Sequence, residues 1–553
     1  MKMTGAEIVI KLLENQGIKR ISGIPGGSNL PLYDALYKSS IRHILVRHEQ
    51  AAGFMAQGEA RLTGRAAVCF ATSGPGATNL ITAIADAKLD SIPMVAITGQ
   101  VPTALIGTDA FQEVDTYGLS TPITKHSYLV KNAAELFHVI PKAFTIAESG
   151  RPGPVLIDIP KDIQKGVCEF DTFPEPGRKE DPPEYTNKKS LDEVLEMIHS
   201  SERPVLYIGG GIQHADAYDE LKALAERSSI PVTVTLMGLG AFPHNHPLYI
   251  GMLGMHAARY TNYILEEADL LIAIGVRFDD RATGMVEKFC SNAKVIHIDM
   301  DPAEIHKIRR AQIPVAGDAK VVLKTILPYV AQNSRAGWMK RIGDVKKTYP
   351  FRVTGNGNML HPVNIIRTVS EIVPDCTPIA TDVGQHQMWV AQAYPFNKPR
   401  TLVSSGGAGT MGFGLPAAMG AALAEPDKRI VCFSGDGSIL MNIQELDTLA
   451  EENLDVTVFV MNNNSLGLVR QQQELFFDKN YMASKFKNKP KFIEIARGFG
   501  VRSLLLDDPA KVNDILKDSL QGRGPCLVDI RIDPYENVFP MVPPGASNVE
   551  MID

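Results

Sequence analysis

Two polar clusters, each closing an apolar run, carry the densest chemistry in this chain. Ile430-Val431-Cys432-Phe433 leads into Ser434-Gly435-Asp436-Gly437-Ser438, and Val456-Thr457-Val458-Phe459-Val460-Met461 leads into Asn462-Asn463-Asn464-Ser465. Asp436 offers a carboxylate, Asn463 an amide oxygen, and the turn after it backbone carbonyls. These are hard oxygen donors, too few to cage a cation alone. Mg²⁺ is commonly held this way, with phosphates and water completing its octahedron. Gly435 and Gly437 let backbone amides approach a diphosphate at a helix start. A lone Gly-Asp-Gly is usually only a turn; the Asn pair one helix and one strand later makes the set specific.

Those clusters need elements to hold them. Ile439, Ile443, Leu446 and Ala450 recur at steps of three and four, which predicts one helix between two strands. The strands of such a βαβ unit run parallel, so both clusters fall at carboxyl ends, where open α/β sheets bind ligands. The first third alternates likewise, with a helix over 6–16 and strands ending at Gly23 and over 43–46, 66–70 and 94–97. Their ends are rich in Gly, Pro or charge, among them Arg47-His48-Glu49-Gln50 and Thr72-Ser73-Gly74-Pro75-Gly76-Ala77-Thr78-Asn79.

A proline-rich, charged stretch at 171–190 reads as a boundary. Beyond it, strands over 204–208, 231–236, 270–274 and 295–298 make a Rossmann-like block. GxGxxG is absent, and a triplet such as Gly209-Gly210-Gly211 alone is more often a tight βα turn than a nucleotide site. A second polar stretch, about 331–362, precedes the last block. The expectation is an α/β chain with three doubly wound parallel-sheet domains, 1–170, 190–330 and 360–553. That suits 553 residues at about 150 per domain. The first and last blocks share an order of elements.

The net charge of -6 gives no sign of nucleic-acid binding. No apolar run approaches the roughly 20 residues of a membrane span, and the first residues do not read as a signal peptide. Six cysteines, at 69, 168, 290, 376, 432 and 526, are scattered without a C-x-x-C pair. They read as small buried hydrophobes in a reducing compartment, and the cytoplasm is the expected location.

The 435–465 stretch resembles the diphosphate-binding motif of thiamine diphosphate enzymes. The resemblance implies Mg²⁺ bound by Asp436, Asn463 and the backbone of Ser465. Arg47-His48-Glu49-Gln50 resembles the family's activating glutamate, although an acid at a helix start also has a purely structural reading through the helix dipole. As a carboxylic acid bonded to the cofactor's N1′, Glu49 would favour the tautomer whose 4′-nitrogen is basic. Met411 matches the bulky residue that bends the cofactor, and Gly409 the carbonyl that orients its 4′-amino group. Further implied cofactor contacts are Asn79, Gly384, Gln385, His386, Gly437 and Ser438. In that family the glutamate and the diphosphate motif come from different subunits, which implies a homodimer.

The resemblance then narrows, over essentially the whole chain, to acetohydroxyacid synthase. It rests on Gly107-Thr108-Asp109-Ala110-Phe111-Gln112-Glu113, Gly150-Arg151-Pro152-Gly153-Pro154 with Pro160-Lys161-Asp162, Gly251-Met252-Leu253-Gly254-Met255-His256, the 275–281 segment and Met541-Val542-Pro543-Pro544-Gly545. The match is closest to bacterial catalytic subunits of the valine-sensitive isozyme I type; Ala51 stands where the family usually has Gly. It implies decarboxylation of pyruvate and transfer of the hydroxyethyl group to a second pyruvate or to 2-oxobutyrate. Gln112, Phe111, Lys161 and Arg281 match residues lining the substrate channel, with Arg281 holding the acceptor carboxylate and Lys161 also readable as a plain surface lysine. Gln472 occupies the position where relatives that prefer 2-oxobutyrate carry Trp. FAD is the second implied cofactor, at Arg151, His256, Arg277, Asp279, Asp299 and Asp318. A homodimer or tetramer with a small regulatory subunit is implied. The rival readings are a pyruvate oxidase-type flavoprotein, glyoxylate carboligase (which lacks the activating glutamate), and a plain dinucleotide-binding oxidoreductase or non-catalytic flavin-binding partner.

Overall fold

A computed structural model describes residues 1–351 and 357–553. It contains three six-stranded sheets, every pairing within them parallel. The first runs Arg42–Leu45, Arg20–Gly23, Ala67–Ala71, Met94–Gln100, Pro154–Pro160, His126–Leu129 across the sheet. The last runs Leu402–Val403, Ile379–Thr381, Ile430–Gly435, Val456–Asn462, Cys526–Arg531, Arg502–Leu506. Numbered along the chain, both read 2-1-3-4-6-5. The shared element order seen in the sequence is therefore a shared topology. In each, the order in which strands are added reverses between the first and third strands, and the crevice at those carboxyl ends is where such sheets bind ligands.

The middle sheet runs Tyr249–Met252, Val232–Val234, Pro204–Ile208, Leu270–Ile274, Lys294–Asp299, Ile313–Ala316. Its order is 3-2-1-4-5-6, that of dinucleotide-binding sheets. The central strands are continuous apolar runs because helices cover both faces.

The outer sheets meet through two helices, Glu49–Thr63 and Gly414–Ala424. A Cβ on Gly58 would lie 2.0 Å from the Ala417 carbonyl oxygen, and one on Gly420 would lie 1.9 Å from that of Met55. Only bare glycine permits so close a crossing. Phe54 and Phe413 meet edge to face beside it, at 5.2 Å between centroids, and one buried apolar cluster runs through both layers.

Three expectations change. The single helix predicted after Asp436 is two, Asp436–Ile439 and Glu445–Glu451. The break serves Asn442, which is buried and donates to the Gly412 carbonyl (2.8 Å) and Gln50 Oε1 (3.2 Å). The polar stretch at 331–362 holds the helix Ala336–Thr348, which buries Trp338, Ile342 and Val345 against the middle layer. Its charged residues hide that narrow apolar face; the 352–356 part of the stretch lies outside the described residues. Cys376 is exposed and Cys168 half-buried, whereas Cys69, Cys290, Cys432 and Cys526 are buried as expected. The 171–187 connector has no regular element, and the helix after it begins at Lys188.

Candidate active site

Three neighbouring strand ends build the densest polar cluster. Ile379–Thr381 ends in Asp382, Val383 and Gly384, and Gly384 caps the helix Gln385–Ala393. Ile430–Gly435 ends at Asp436 and Val456–Asn462 at Asn463; these strands are hydrogen-bonded neighbours. Asp382, fully buried, clamps the set: it accepts N–H from Val383 (2.9 Å) and Gly412 (2.8 Å) and O–H from Ser434 (3.1 Å). Burial raises its carboxyl to about 6 against those hydrogen bonds. The clamp fixes the loop of Gly409, at φ +63°, and Met411. Ser438 Oγ donates to the Val383 carbonyl at 2.8 Å, and a Cβ on Gly435 would lie 2.9 Å from His386 Nδ1.

Asp436 is 2% exposed, and its Oδ2 has no partner. Burial outweighs the N–H groups around it and raises the carboxyl to about 7. His386 Nε2 is likewise buried without a partner, and burial holds the imidazole neutral, down to about 3. Asn463 Oδ1 accepts from the Ser465 backbone N–H (3.2 Å) and Oγ (3.1 Å), while its Nδ2 donates to Gln385 Oε1 (3.0 Å). A buried carboxylate oxygen left unpartnered beside amide and backbone oxygens fits a hard divalent cation. Gln385 in turn donates to Gln471 Oε1 at 2.9 Å, and Gln471 Nε2 to the Val538 carbonyl at 3.0 Å. The helix Gly467–Phe476 is thereby pinned to the C-terminal tail, with Gln472 half-buried beside the anchor.

A second cluster stands in the first sheet. His48 Nδ1 accepts from the Gln50 N–H at 3.1 Å and caps the helix whose first residue is Glu49. Glu49 Oε2 accepts from Asn79 Nδ2 at 2.8 Å, on the helix Pro75–Asp90. The loop carrying Phe111 and Gln112 is organised by Glu113, which accepts N–H from Gly107, Thr108 (3.2 Å) and Ala110 (3.1 Å). Those bonds, Gly107 foremost, hold its carboxyl below the usual range. Phe111 is left 89% exposed, and Gln112 takes φ +61° against Gly74. Lys161, half-buried, opens the short helix Lys161–Lys165.

Arg281 lies elsewhere, at a cavity of about 380 Å³ lined also by Met255, Val542, Pro543, Pro544 and Asn548. Its side chain is 66% exposed, with Nε 3.8 Å from Asp280 Oδ2, so the guanidinium faces solvent across a loose surface ion pair. Asp279 caps its helix, accepting from the Arg281 and Ala282 N–H groups. In the middle sheet the glycine triplet is a tight βα turn: Cβ atoms on Gly209 and Gly211 would lie 2.2 and 2.4 Å from Gly275. It also sits at the topological switch point of the sheet; away from that point, toward the strand Val232–Val234, a cavity of about 450 Å³ opens between Gly210, Gln213, Met237, Arg61, Asp90 and Arg400. Arg151 reaches from the first layer to Asp301 (3.2 Å) and Glu304 (2.6 Å). Arg277 approaches Gly407. His256 is buried with Nδ1 unpartnered, and burial lowers it to about 4. Asp299 ends its strand, raised by burial to about 6, and Asp318 caps the helix Ala319–Ile326.

Three family models match: the N-terminal thiamine pyrophosphate-binding domain of thiamine pyrophosphate enzymes over residues 3–119, their central domain over 191–326 and their C-terminal binding domain over 382–530. The chain is 54% identical to the acetolactate synthase isozyme 1 large subunit of Escherichia coli (strain K12), covering 100% of this chain and 98% of that one. It is 48% identical to the acetolactate synthase large subunit of Parasynechococcus marenigrum (strain WH8102), covering 100% and 91%. The isozyme 2 large subunit of the same E. coli strain is 44% identical, with both chains covered in full. The chain belongs to the acetolactate synthase large-subunit family.

Membership makes it a thiamine diphosphate enzyme of acetolactate synthase type. These relatives are named as large subunits. No helix among the described residues is long and apolar enough to cross a membrane. Sequence reasoning for this family member missed Asp382, Asn442 and Gln471 as organisers of the strand ends. Asp382 carried a signal, since it directly follows a short β-rich run; Asn442 and Gln471 act through partners far away in sequence, which no spacing reveals.

Proposed function

We infer that this acetolactate synthase carries thiamine diphosphate on Mg²⁺ at Asp436, Asn463 and the Ser465 carbonyl. The unpartnered, buried Asp436 oxygen supports this most directly. When bound, thiamine diphosphate supplies the electron sink for decarboxylating pyruvate. Gly437 and Ser438 would face the diphosphate, with Gly384, Gln385 and His386 beside it. Met411 and the Gly409 carbonyl would set the bend and orientation of the cofactor. Glu49, steered by Asn79, holds the proton at N1′. Gln112, Phe111 and Lys161 line the channel by which pyruvate enters, and Arg281 holds the acceptor carboxylate with its planar fork. Gln472 borders the acceptor's side chain, so 2-oxobutyrate and pyruvate compete as acceptors.

FAD, as a non-redox cofactor, is assigned to the middle sheet and its neighbours: Arg151, His256, Arg277, Asp279, Asp299 and Asp318. The 3-2-1-4-5-6 order supports it, because a dinucleotide binds at that switch point. The domains 1–170, 190–330 and 360–553 then bind pyrimidine, FAD and diphosphate in turn. A homodimer or tetramer completes each site, with a small regulatory subunit besides. Exposed apolar side chains on the two outer layers, among them Leu45, Phe111, Tyr117, Leu119, Met441 and Val469, favour such pairing.

Colour-detected acetolactate from pyruvate, measured with each cofactor omitted in turn, tests the reading. Product should vanish without thiamine diphosphate or Mg²⁺. Stoichiometric bleaching of the flavin on anaerobic mixing with pyruvate would instead support the oxidase reading.

A further inference from the structure

The strand Arg42–Leu45 is an edge strand, and the chain beyond it turns inward toward Glu49. The backbone N–H groups at the turn therefore need partners outside the sheet. They find one carboxylate, that of Glu445, the first residue of the helix Glu445–Glu451 in the last layer. Glu445 is 0% exposed. Its Oε1 accepts the Arg47 N–H at 2.9 Å, its Oε2 accepts Thr448 Oγ1 at 2.9 Å, and the His48 N–H also bonds to it. Thr448 Oγ1 touches the Leu45 carbonyl at 3.2 Å, and Asn442 holds Gln50 at 3.2 Å.

We propose that Glu445 is a positioning residue for Glu49, fixing the backbone one and two residues before it. This rests on the assignment of Glu49 to the cofactor. The Arg47 guanidinium pairs with Asp447 (2.7 Å) and Glu451 (2.5 Å), but those carboxylates are 46% and 54% exposed and steer little. Hydrogen bonds accepted by a fully buried carboxyl group are shielded from water and directional. The arrangement also ties two tasks to one stretch of chain. It starts at Asp436, at the diphosphate-binding strand end, and nine residues on it sets the backbone of the activating acid.

Glu445→Gln keeps size and shape but leaves one neutral acceptor oxygen where Arg47, His48 and Thr448 now share two, so the 47–48 backbone is held less firmly and shifts. A shift of about 1 Å at a catalytic group lowers rate about 10²-fold. The measurement is H/D exchange at C2 of bound thiamine diphosphate, read by quench and NMR on the FAD-loaded enzyme. Glu445→Gln should lower exchange about 10²-fold while FAD and thiamine diphosphate contents and pyruvate KM stay near the parent's. Asp447→Asn, which removes only an exposed ion pair, should exchange at the parent rate. If Glu445→Gln fails to load FAD, the near-isosteric Thr448→Val decides: a several-fold fall supports the proposal and an unchanged rate overturns it. Parent-rate exchange in Glu445→Gln also overturns it, provided Glu49→Gln abolishes exchange. Parent-rate exchange in Glu49→Gln would instead refute the assignment of Glu49.

Discussion

Replacing Asp436 by Asn removes one charge and almost no volume. In the metal-free protein burial raises this carboxyl from 3.8 to about 7. Between those values the unfolded chain ionises it while the folded chain keeps it protonated, so rising pH favours unfolding across that window and no further above it. At about 1.36 kcal/mol per pH unit, the penalty is about 4 kcal/mol at pH 8 and less than half of that at pH 5. Asn carries no charge at either pH. Cofactor-free Asp436→Asn should therefore exceed the cofactor-free parent in stability by about 4 kcal/mol at pH 8 and by under about 2 kcal/mol at pH 5. Denaturant unfolding followed by fluorescence of the two Trp residues reads both. Mg²⁺ and thiamine diphosphate narrow the gap: at about 100 times Kd they add about 2.7 kcal/mol to the parent and nothing to the variant. A variant no more stable than the parent at pH 8, or one stabilised equally by the cofactors, refutes the reasoning.

The same titration makes metal binding release a proton, so the apparent Mg²⁺ affinity of the parent should fall about tenfold per pH unit below about 7 and level off above it; isothermal titration in two buffers of different ionisation heat checks this. Gln472→Trp supplies a flat apolar face and should raise the 2-oxobutyrate preference by about 10-fold or more from a parent preference below about tenfold, counted as both products in one competition. Arg281→Lys keeps charge but loses the planar fork; kcat/KM for the acceptor should fall about 10-fold, with C2 exchange unchanged. Gly420→Val forces a side chain toward the Met55 carbonyl at the helix crossing and should destabilise by about 1–3 kcal/mol, seen as a lower melting temperature.

Strand ends were legible from sequence because chemistry and periodicity coincide there. Asp436 and Asn463 each close a run of apolar residues, and a parallel strand buried on both faces must be such a run. Glu49 was legible only through its motif, since an acid at a helix start is ordinary by itself. The three-layer plan followed from alternation of strand and helix. Sheet order did not, because neighbours such as Ile379–Thr381 and Ile430–Gly435 lie about fifty residues apart. The short strands Leu402–Val403 and Ile313–Ala316 carry too few residues to show a period. Only the tertiary structure broke the predicted helix at Asn442, gave a helix to the polar stretch after residue 331 and brought Glu445 under the backbone of Arg47. Hydrogen bonds across 398 residues leave no local trace: the sequence determined which groups could do the chemistry, and packing between layers decided which of them are held, buried and left unpartnered to do it.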